Sequence, residues 1–317
     1  MSIKIFIQTE RFEGGPAIFR SRIIPLLNKF PDIKVTNNIN DKFDIELAFI
    51  RKIFKHNKPY VLRVDGCYYE KSRRDGNEMI QKAILEANYR IFQSKFAFKL
   101  CNHILDIKNA TSKENIDYSI IYNGIDLNYI NNIKLNKKIK PGSFVACAQW
   151  RSNKRPISMI KGFLKANIKR HLYIIGGRGI QGEKIDNKYN SKYIHILGEK
   201  SNKETLSIMK ACDYQIHLCH IDACPNTVIE GLACGLNVLC TNLGGTQELV
   251  QDNGVVLNVD KFWDRKYLKE SKLDNINPEM IAEGIYKLMK RKERSIRLDL
   301  DINKMIKEYV DIIRENI

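Results

Sequence analysis

His220-Ile221-Asp222-Ala223-Cys224-Pro225-Asn226-Thr227-Val228-Ile229-Glu230-Gly231-Leu232-Ala233-Cys234-Gly235 lies between two short apolar runs, 214–218 and 236–241, and is followed by Leu243-Gly244-Gly245-Thr246-Gln247-Glu248-Leu249-Val250. Runs of this length dominated by apolar residues and bounded by turn residues mark the strands of a sheet covered on both faces. The segment between them then crosses from one parallel strand to the next, with a helix opening near Asn226. Such a helix N-terminus presents backbone N–H groups and a partial positive charge, which attract phosphate. Open parallel sheets bind ligands outside the carboxyl ends of their strands, where Asp222 stands. Glu230 follows about one turn inside the helix, on the face where a ribose attached to that phosphate would lie.

The same alternation extends in both directions. Before the crossover, 144–148, 171–175 and 193–197 read as strands, and after it 254–257 does. Nearer the start, 3–8, 43–49, 60–64, 90–93 and 119–122 are strand candidates, with helices expected over 17–30, 77–87 and 96–101. Between the two sets, 131–142 is polar, Lys-rich and ends in Pro141-Gly142, so it reads as a connection. The final stretch, 278–317, has the pattern of two amphipathic helices. The fold class expected is α/β with two doubly wound parallel-sheet domains, 1–130 and 142–295. The last helix, about 300–317, is expected to return to the first domain.

A chain of 317 residues, 44% hydrophobic, has ample material for two cores. It lacks an uninterrupted apolar run of the roughly 20 residues a membrane span needs, and its first residues read as a buried strand and not as a leader. Eight cysteines occur without a Cys-x-x-Cys pair. A reduced, cytoplasmic setting is expected. The net charge of +17 suits an anionic acceptor, a membrane surface touched peripherally, or nucleic acid. Much of it is Lys scattered among Ile and Asn, which coding bias in an AT-rich genome also produces, and nucleic acid is not the expected partner.

Several spots could carry chemistry. Gly14-Gly15-Pro16 follows the first strand and precedes a helix, so its backbone could approach a phosphate or acceptor closely, or simply turn. Asp65 ends a strand beside Gly66, and a catalytic role competes with a turn-forming one. Gly177-Arg178-Gly179-Ile180-Gln181-Gly182 imitates a dinucleotide fingerprint, but a polar stretch without a clear helix follows it. His217-Leu218-Cys219-His220 contains metal-ligand types, yet alternation along a strand separates them and no second cluster completes four ligands. Asp299-Leu300-Asp301 lies in a helical pattern and reads as a solvated face, and Lys290-Arg291-Lys292-Glu293-Arg294 reads as a charged turn. No metal ligand and no resident cofactor is expected.

Seven residues separate Asp222 from Glu230, and the segment continues through Ala233-Cys234-Gly235, a strand and Gly244-Gly245-Thr246-Gln247-Glu248. In this it resembles the family 4 retaining glycosyltransferases of the GT-B fold, whose usual first acid is Glu where Asp222 stands. Arg63-Val64-Asp65-Gly66, Phe92-Gln93-Ser94, Asn123-Gly124-Ile125-Asp126 and Trp150-Arg151-Ser152-Asn153-Lys154-Arg155 fall in that family's order and spacing. Many relatives carry His near Asp65.

The resemblance implies two Rossmann-like domains facing a cleft, a nucleoside diphosphate sugar (UDP or GDP) as donor, and a hydroxyl of a glycan, lipid or other acceptor. It implies retention of configuration without a divalent metal. By position, Glu230 would bind ribose, while Asp222 with the backbone of Pro225, Asn226 and Thr227 would hold the sugar and diphosphate. Arg151 and Lys154 would neutralise the diphosphate, unless they are a solvated basic loop. Gly15 and Gly177 would edge the site, and Leu197-Gly198 would meet the base. A sugar-nucleotide 2-epimerase of the same architecture and a basic nucleic-acid-binding protein are the alternatives. The spacing of Asp222 and Glu230 favours the transferase.

Overall fold

The structure, a computed structural model, describes residues 2–8, 15–107, 116–177, 185, 187–259, 275–291, 293 and 295–317. Gly14 and the glycine loop 178–184 lie outside the described residues, as do Lys292 and Arg294. Chain contacts divide the rest into two units. One runs through Gly124 and takes up Asp301–Ile317, and the other begins at Ile125 and ends at Leu300.

The first unit is built from β1 (Ile3–Phe6), α1 (Gly15–Leu27), β2 (Ile33–Thr36), β3 (Ile45–Phe49), β4 (Tyr60–Val64), α2 (Asn77–Glu86), β5 (Tyr89–Phe92), α3 (Lys95–Leu105) and β6 (Tyr118–Ile120). Its strands are parallel in the order β2-β1-β3-β4-β5-β6. β3 and β4 are buried at every residue, and each holds one charge, Glu46 and Arg63, in an otherwise apolar run. β2 was not expected from the sequence. It is an edge strand, Ile-Lys-Val-Thr, with only Ile33 buried, so it carries almost no apolar signal.

The second unit begins with α4 (Leu127–Asn132) and continues through β7 (Phe144–Cys147), α5 (Pro156–Lys165), β8 (Leu172–Ile175), β9 (Ile194–Gly198), α6 (Asn202–Ala211) and β10 (Tyr214–His217). α7 (Asn226–Ala233), β11 (Asn237–Thr241), α8 (Thr246–Val250), β12 (Gly254–Leu257) and α9 (Pro278–Met289) complete it. The sheet order is β12-β11-β10-β7-β8-β9, all parallel. The chain therefore winds outward from β7 to β9, then returns to the other side of β7 to lay down β10. Connections leave β7 and β10 in opposite directions, which opens a crevice at the carboxyl ends of those two strands.

α10 (Ile302–Glu315) follows, and its apolar face enters the first unit. Ile302, Met305, Ile306, Tyr309, Val310 and Ile313 share a core with Phe19, Ile23 and Leu27 of α1. Phe19 and Tyr309 meet with ring centroids 5.9 Å apart, and Arg314 forks onto Asp32 at the surface. Among the described residues no helix is long and apolar enough to cross a membrane.

Candidate functional site

The crevice between β7 and β10 is lined by the two loops that leave those strands. After β7 the chain passes Trp150, whose buried indole N–H donates to the Ile175 carbonyl at 3.1 Å. It then forms a short 3-10 turn, Ser152–Lys154, and Arg155 adopts a left-handed conformation before Pro156 opens α5. After β10 the chain reaches Asp222. The loops are tied together where the His220 N–H donates to the Asn153 carbonyl at 2.7 Å.

That tie brings Lys154 to Asp222, with Nζ 2.5 Å from Oδ2. Burial alone would lower the ammonium's affinity for its proton, but Asp222 and the Cys219 thiol beside it raise it above the ordinary lysine value. Burial opposes the charged carboxylate as well. Lys154, helped by Arg151, nevertheless holds Asp222 below the usual carboxylate range. The pair is thus ionised at neutral pH. His217 stands behind it, with Nε2 3.7 Å from Asp222 Oδ2. Burial, and then the Lys154 charge, push His217 down to about 4, so its ring is neutral. Burial pushes the Cys219 thiol up to about 11 although Lys154 pulls the other way.

Asp222 is fixed from below. The preceding residue, Ile221, takes a left-handed φ of 56°, costly for a β-branched side chain, and turns the chain back. The Gly245 N–H donates to the Asp222 carbonyl at 2.8 Å, and a Cβ on Gly244 would stand 2.8 Å from that same oxygen. The Gly244-Gly245 pair therefore lets the β11 loop press directly on the Asp222 backbone.

α7 opens at Asn226 with Pro225 at its cap position and no side-chain cap, and its first turn holds no acid. Thr227 is the second residue of that turn, and its carbonyl accepts from Gln215 at 2.9 Å. Glu230, one turn on, is buried and accepts from Asn202 Nδ2 at 3.2 Å. At the neighbouring strand ends, Gly177 accepts from the Trp150 N–H at 2.9 Å, and Gly198 accepts from the Gly176 N–H at 2.8 Å. Leu197 is the penultimate residue of β9. A Cβ on Gly177 would stand 1.8 Å from the exposed Glu199 carboxylate, so a side chain there requires Glu199 to swing aside.

Of the residues singled out from the sequence, Asp222 and Lys154 touch, and Pro225, Asn226, Thr227 and Glu230 follow on the adjoining helix. Gly177, Leu197 and Gly198 share the carboxyl edge of the same sheet. Arg151 is exposed beside the turn and acts on Asp222 through its charge. Asp65 and Gly15 belong to the first unit, where Gly15 begins α1. Asp65 pairs with Arg63, whose guanidinium also donates to Asn123 Oδ1 at 2.8 Å and Gln93 Oε1 at 3.1 Å. Gln93 in turn donates to the Asp65 carbonyl at 2.7 Å. Three of the quoted segments thus meet in one buried polar cluster.

One expectation needs correction. His217 and Cys219 do not diverge: two residues apart on one strand, they fall on the same side, and with Asp222 their ligand atoms lie within 4.8 Å of one another. His220 is the one that turns away, with Nδ1 3.3 Å from the buried Arg155 Nη2. Asp299 lies exposed on a short 3-10 helix, Leu298–Leu300, and pairs with Arg297, while Asp301 caps α10 through the Asn303 N–H. His217, Cys219 and Arg155 were missed as site residues. The period of two along β10 was the signal that could have found the first two.

The model of the family described as Glycosyl transferases group 1 matches residues 131–304. The chain is similar to the uncharacterized glycosyltransferase MJ1178 of Methanocaldococcus jannaschii, 30% identical over 172 residues, covering 52% of this chain and 46% of that one. A second protein of that organism, the uncharacterized glycosyltransferase MJ1069, is 24% identical over 69% of this chain and 59% of its own. These alignments span about half the length of the curated relatives. Among solved structures, HepE of Anabaena in complex with UDP and glucose superposes with a TM-score of 0.67, covering 99% of this chain and 100% of that one at 12% identity. That likeness identifies the fold as GT-B.

Proposed function

Because the chain belongs to the family of glycosyl transferases group 1, we propose that it transfers a sugar, with retention and without a divalent metal, from a nucleoside diphosphate sugar to a hydroxyl of a glycan, lipid or other acceptor. The observation that carries this reading is the Lys154–Asp222 ion pair at the β7/β10 crevice, beside the uncapped start of α7. A diphosphate arriving there meets Lys154, the Arg151 side chain and the helix N-terminus, which together supply the positive charge its departure requires. The UDP and UDP-glucose complexes of HepE support UDP as the first nucleotide to try.

In this reading the diphosphate and Asp222 share the Lys154 ammonium. The donor draws Lys154 toward phosphate, and the Asp222 carboxylate is released to accept hydrogen bonds from the sugar hydroxyls. Glu230, held by Asn202, accepts from the ribose hydroxyls. As the bond from anomeric carbon to phosphate oxygen lengthens, charge grows on the leaving diphosphate and on the sugar ring. The departing oxygen takes the acceptor's proton on the same face, which keeps the configuration. Asp65, salt-bridged to Arg63, has burial raising its carboxyl against the pull of that arginine, and we assign it to positioning the acceptor side. The eight free thiols support a reducing, cytoplasmic setting.

The test is a thermal-shift screen against UDP, GDP and ADP and their sugars. A ligand at 100 times its Kd adds about 2.7 kcal/mol of stability, so the cognate nucleotide should stand out. Transfer or donor hydrolysis should then persist in excess EDTA. No shift with any nucleotide, or activity abolished by EDTA and restored by manganese, would refute the reading.

A further inference from the structure

We propose that His217, Cys219 and Asp222 form a binding site for a soft divalent cation of the zinc class, which competes with the Lys154 ammonium for one position in the crevice. The site is assembled by the fold and not by a motif. β10 sets His217 and Cys219 on one side, and the left-handed turn at Ile221 returns Asp222 to them, leaving nitrogen, sulfur and oxygen donors within 4.8 Å of each other. Asp222 cannot drift away, because Gly244 and Gly245 fix its backbone.

Two observations mark a cation position there. Lys154 Nζ, a cation on a flexible stem, already lies 2.5 Å from Asp222 Oδ2 and reaches the Cys219 thiol. His217, 6% exposed, holds its Nε2 toward them without any hydrogen-bond partner. An imidazole, a thiol and one carboxylate form a donor set for zinc, cadmium or cobalt, whereas magnesium, calcium and manganese favour oxygen. Bonds of about 2.0–2.3 Å in a tetrahedron require the three donors to close by roughly 1 Å. The Lys154 and Asp222 side chains are 13% and 22% exposed and supply the way in. On binding, the cation displaces the ammonium, the Cys219 proton passes to solvent, and water fills the fourth position. The consequence for catalysis rests on the function proposed above: with Asp222 bound to metal, transfer falls.

The experiment titrates the chelator-stripped full chain with Co2+, followed by its visible and thiolate charge-transfer absorption, and with Zn2+ by calorimetry. One equivalent should bind with a sulfur-ligated tetrahedral spectrum. Cys219→Ser and His217→Gln should each weaken binding by about 10-fold or more and change the spectrum. Lys154→Met, which removes the competing ammonium, should bind Zn2+ about 10-fold more tightly. His195→Ala checks a half-buried histidine pair away from the site, since His171 Nδ1 and His195 Nε2 lie 2.8 Å apart, and should change nothing. Unaltered binding in Cys219→Ser and His217→Gln, or a Lys154→Met variant that binds no tighter, would overturn the proposal. Nucleotide binding is measured separately by thermal shift in EDTA. Sulfur-ligated metal binding without any nucleotide response would uphold this site and remove the donor reading, and the converse would do the opposite.

Discussion

Each unit carries a cation paired with a carboxylate at the carboxyl ends of its parallel strands, yet Arg63–Asp65 and Lys154–Asp222 are held in opposite ways. Arg63 projects from inside β4, is 1% exposed, forks onto Asn123 and Gln93, and lies over the Phe19 ring with Cζ 3.7 Å from the centroid. Lys154 projects from a loop at the place where the strand order reverses, is partly exposed, and faces an imidazole nitrogen that bonds to nothing. A forked cation embedded among side-chain amides has partners that depend on it and no room to leave. A point charge on a flexible stem can exchange its carboxylate for a phosphate. The first cation is locked in place by the fold, and the second can move to a ligand.

The largest expected effect falls on the first pair. Arg63→Met should lower stability by about 3–5 kcal/mol, because Asp65 and two amide oxygens would lose their common donor in a buried place. Urea unfolding measures it, and a loss below about 1 kcal/mol would show that this cluster is as loosely held as the other. Next comes Glu46, fully buried in β3 with Oε2 2.6 Å from His56 Nε2. Burial, against a weaker opposing pull from Lys52, raises it to about 7, and burial also lowers His56. A carboxyl whose proton is held more tightly in the folded chain contributes stability that is complete below about pH 4.5 and lost as pH rises through about 7. Glu46→Gln should remove that slope, gaining up to about 3 kcal/mol over the wild type at pH 8. A variant whose stability keeps the wild-type pH dependence would show that the slope comes from elsewhere.

Lys154→Met should behave in the reverse manner to Arg63→Met. Nucleoside diphosphate affinity should fall about 10- to 100-fold, while denaturation midpoints move little. Arg151→Ala, from the exposed side of the same loop, should cost less affinity than Lys154→Met, and calorimetry with UDP ranks the two. Equal losses would mean that the exposed arginine folds onto the ligand as closely as the half-buried lysine. The smallest effect sharpens the boundary of the first cluster. Ser94 follows Gln93 and caps α3 by accepting from the Ala97 N–H at 3.0 Å, so Ser94→Ala should cost about 1 kcal/mol of stability. A change in transfer rate at unchanged stability would instead move Ser94 from the scaffold to the site.

The same contrast explains what could be read in the sequence. Every strand of the second sheet was legible because each is a short run dominated by apolar and aromatic residues and bounded by turns, even at the half-exposed edges β9 and β12. The edge strand β2 was not, with one buried residue in four. Asp222 and Glu230 were legible as a unit because the start of α7 fixes their geometry locally. The Lys154–Asp222 contact joins residues 68 apart and depends on a loop-to-loop bond through Asn153 and His220, for which no residue pattern exists. Arg63 looked like one charge in an apolar run. Its partners lie 30 and 60 residues away, so the quoted segments could be ordered along the chain but not assembled into a network.

The helix α10 carries a further consequence, for the order of events during synthesis. Tyr309, Val310 and Ile313 are wholly buried in the first unit's core, but they emerge from the ribosome only after the entire second unit. Until then the apolar face of α1, with Phe19, Ile23 and Leu27, has no cover from this helix. The described residues of the second unit all lie between Ile125 and Leu300, so it can close while the chain is still being made. The part of the protein that is translated first is therefore the part that finishes folding last, and its sheet must wait, exposed to mispairing, for a segment encoded nearly three hundred residues downstream.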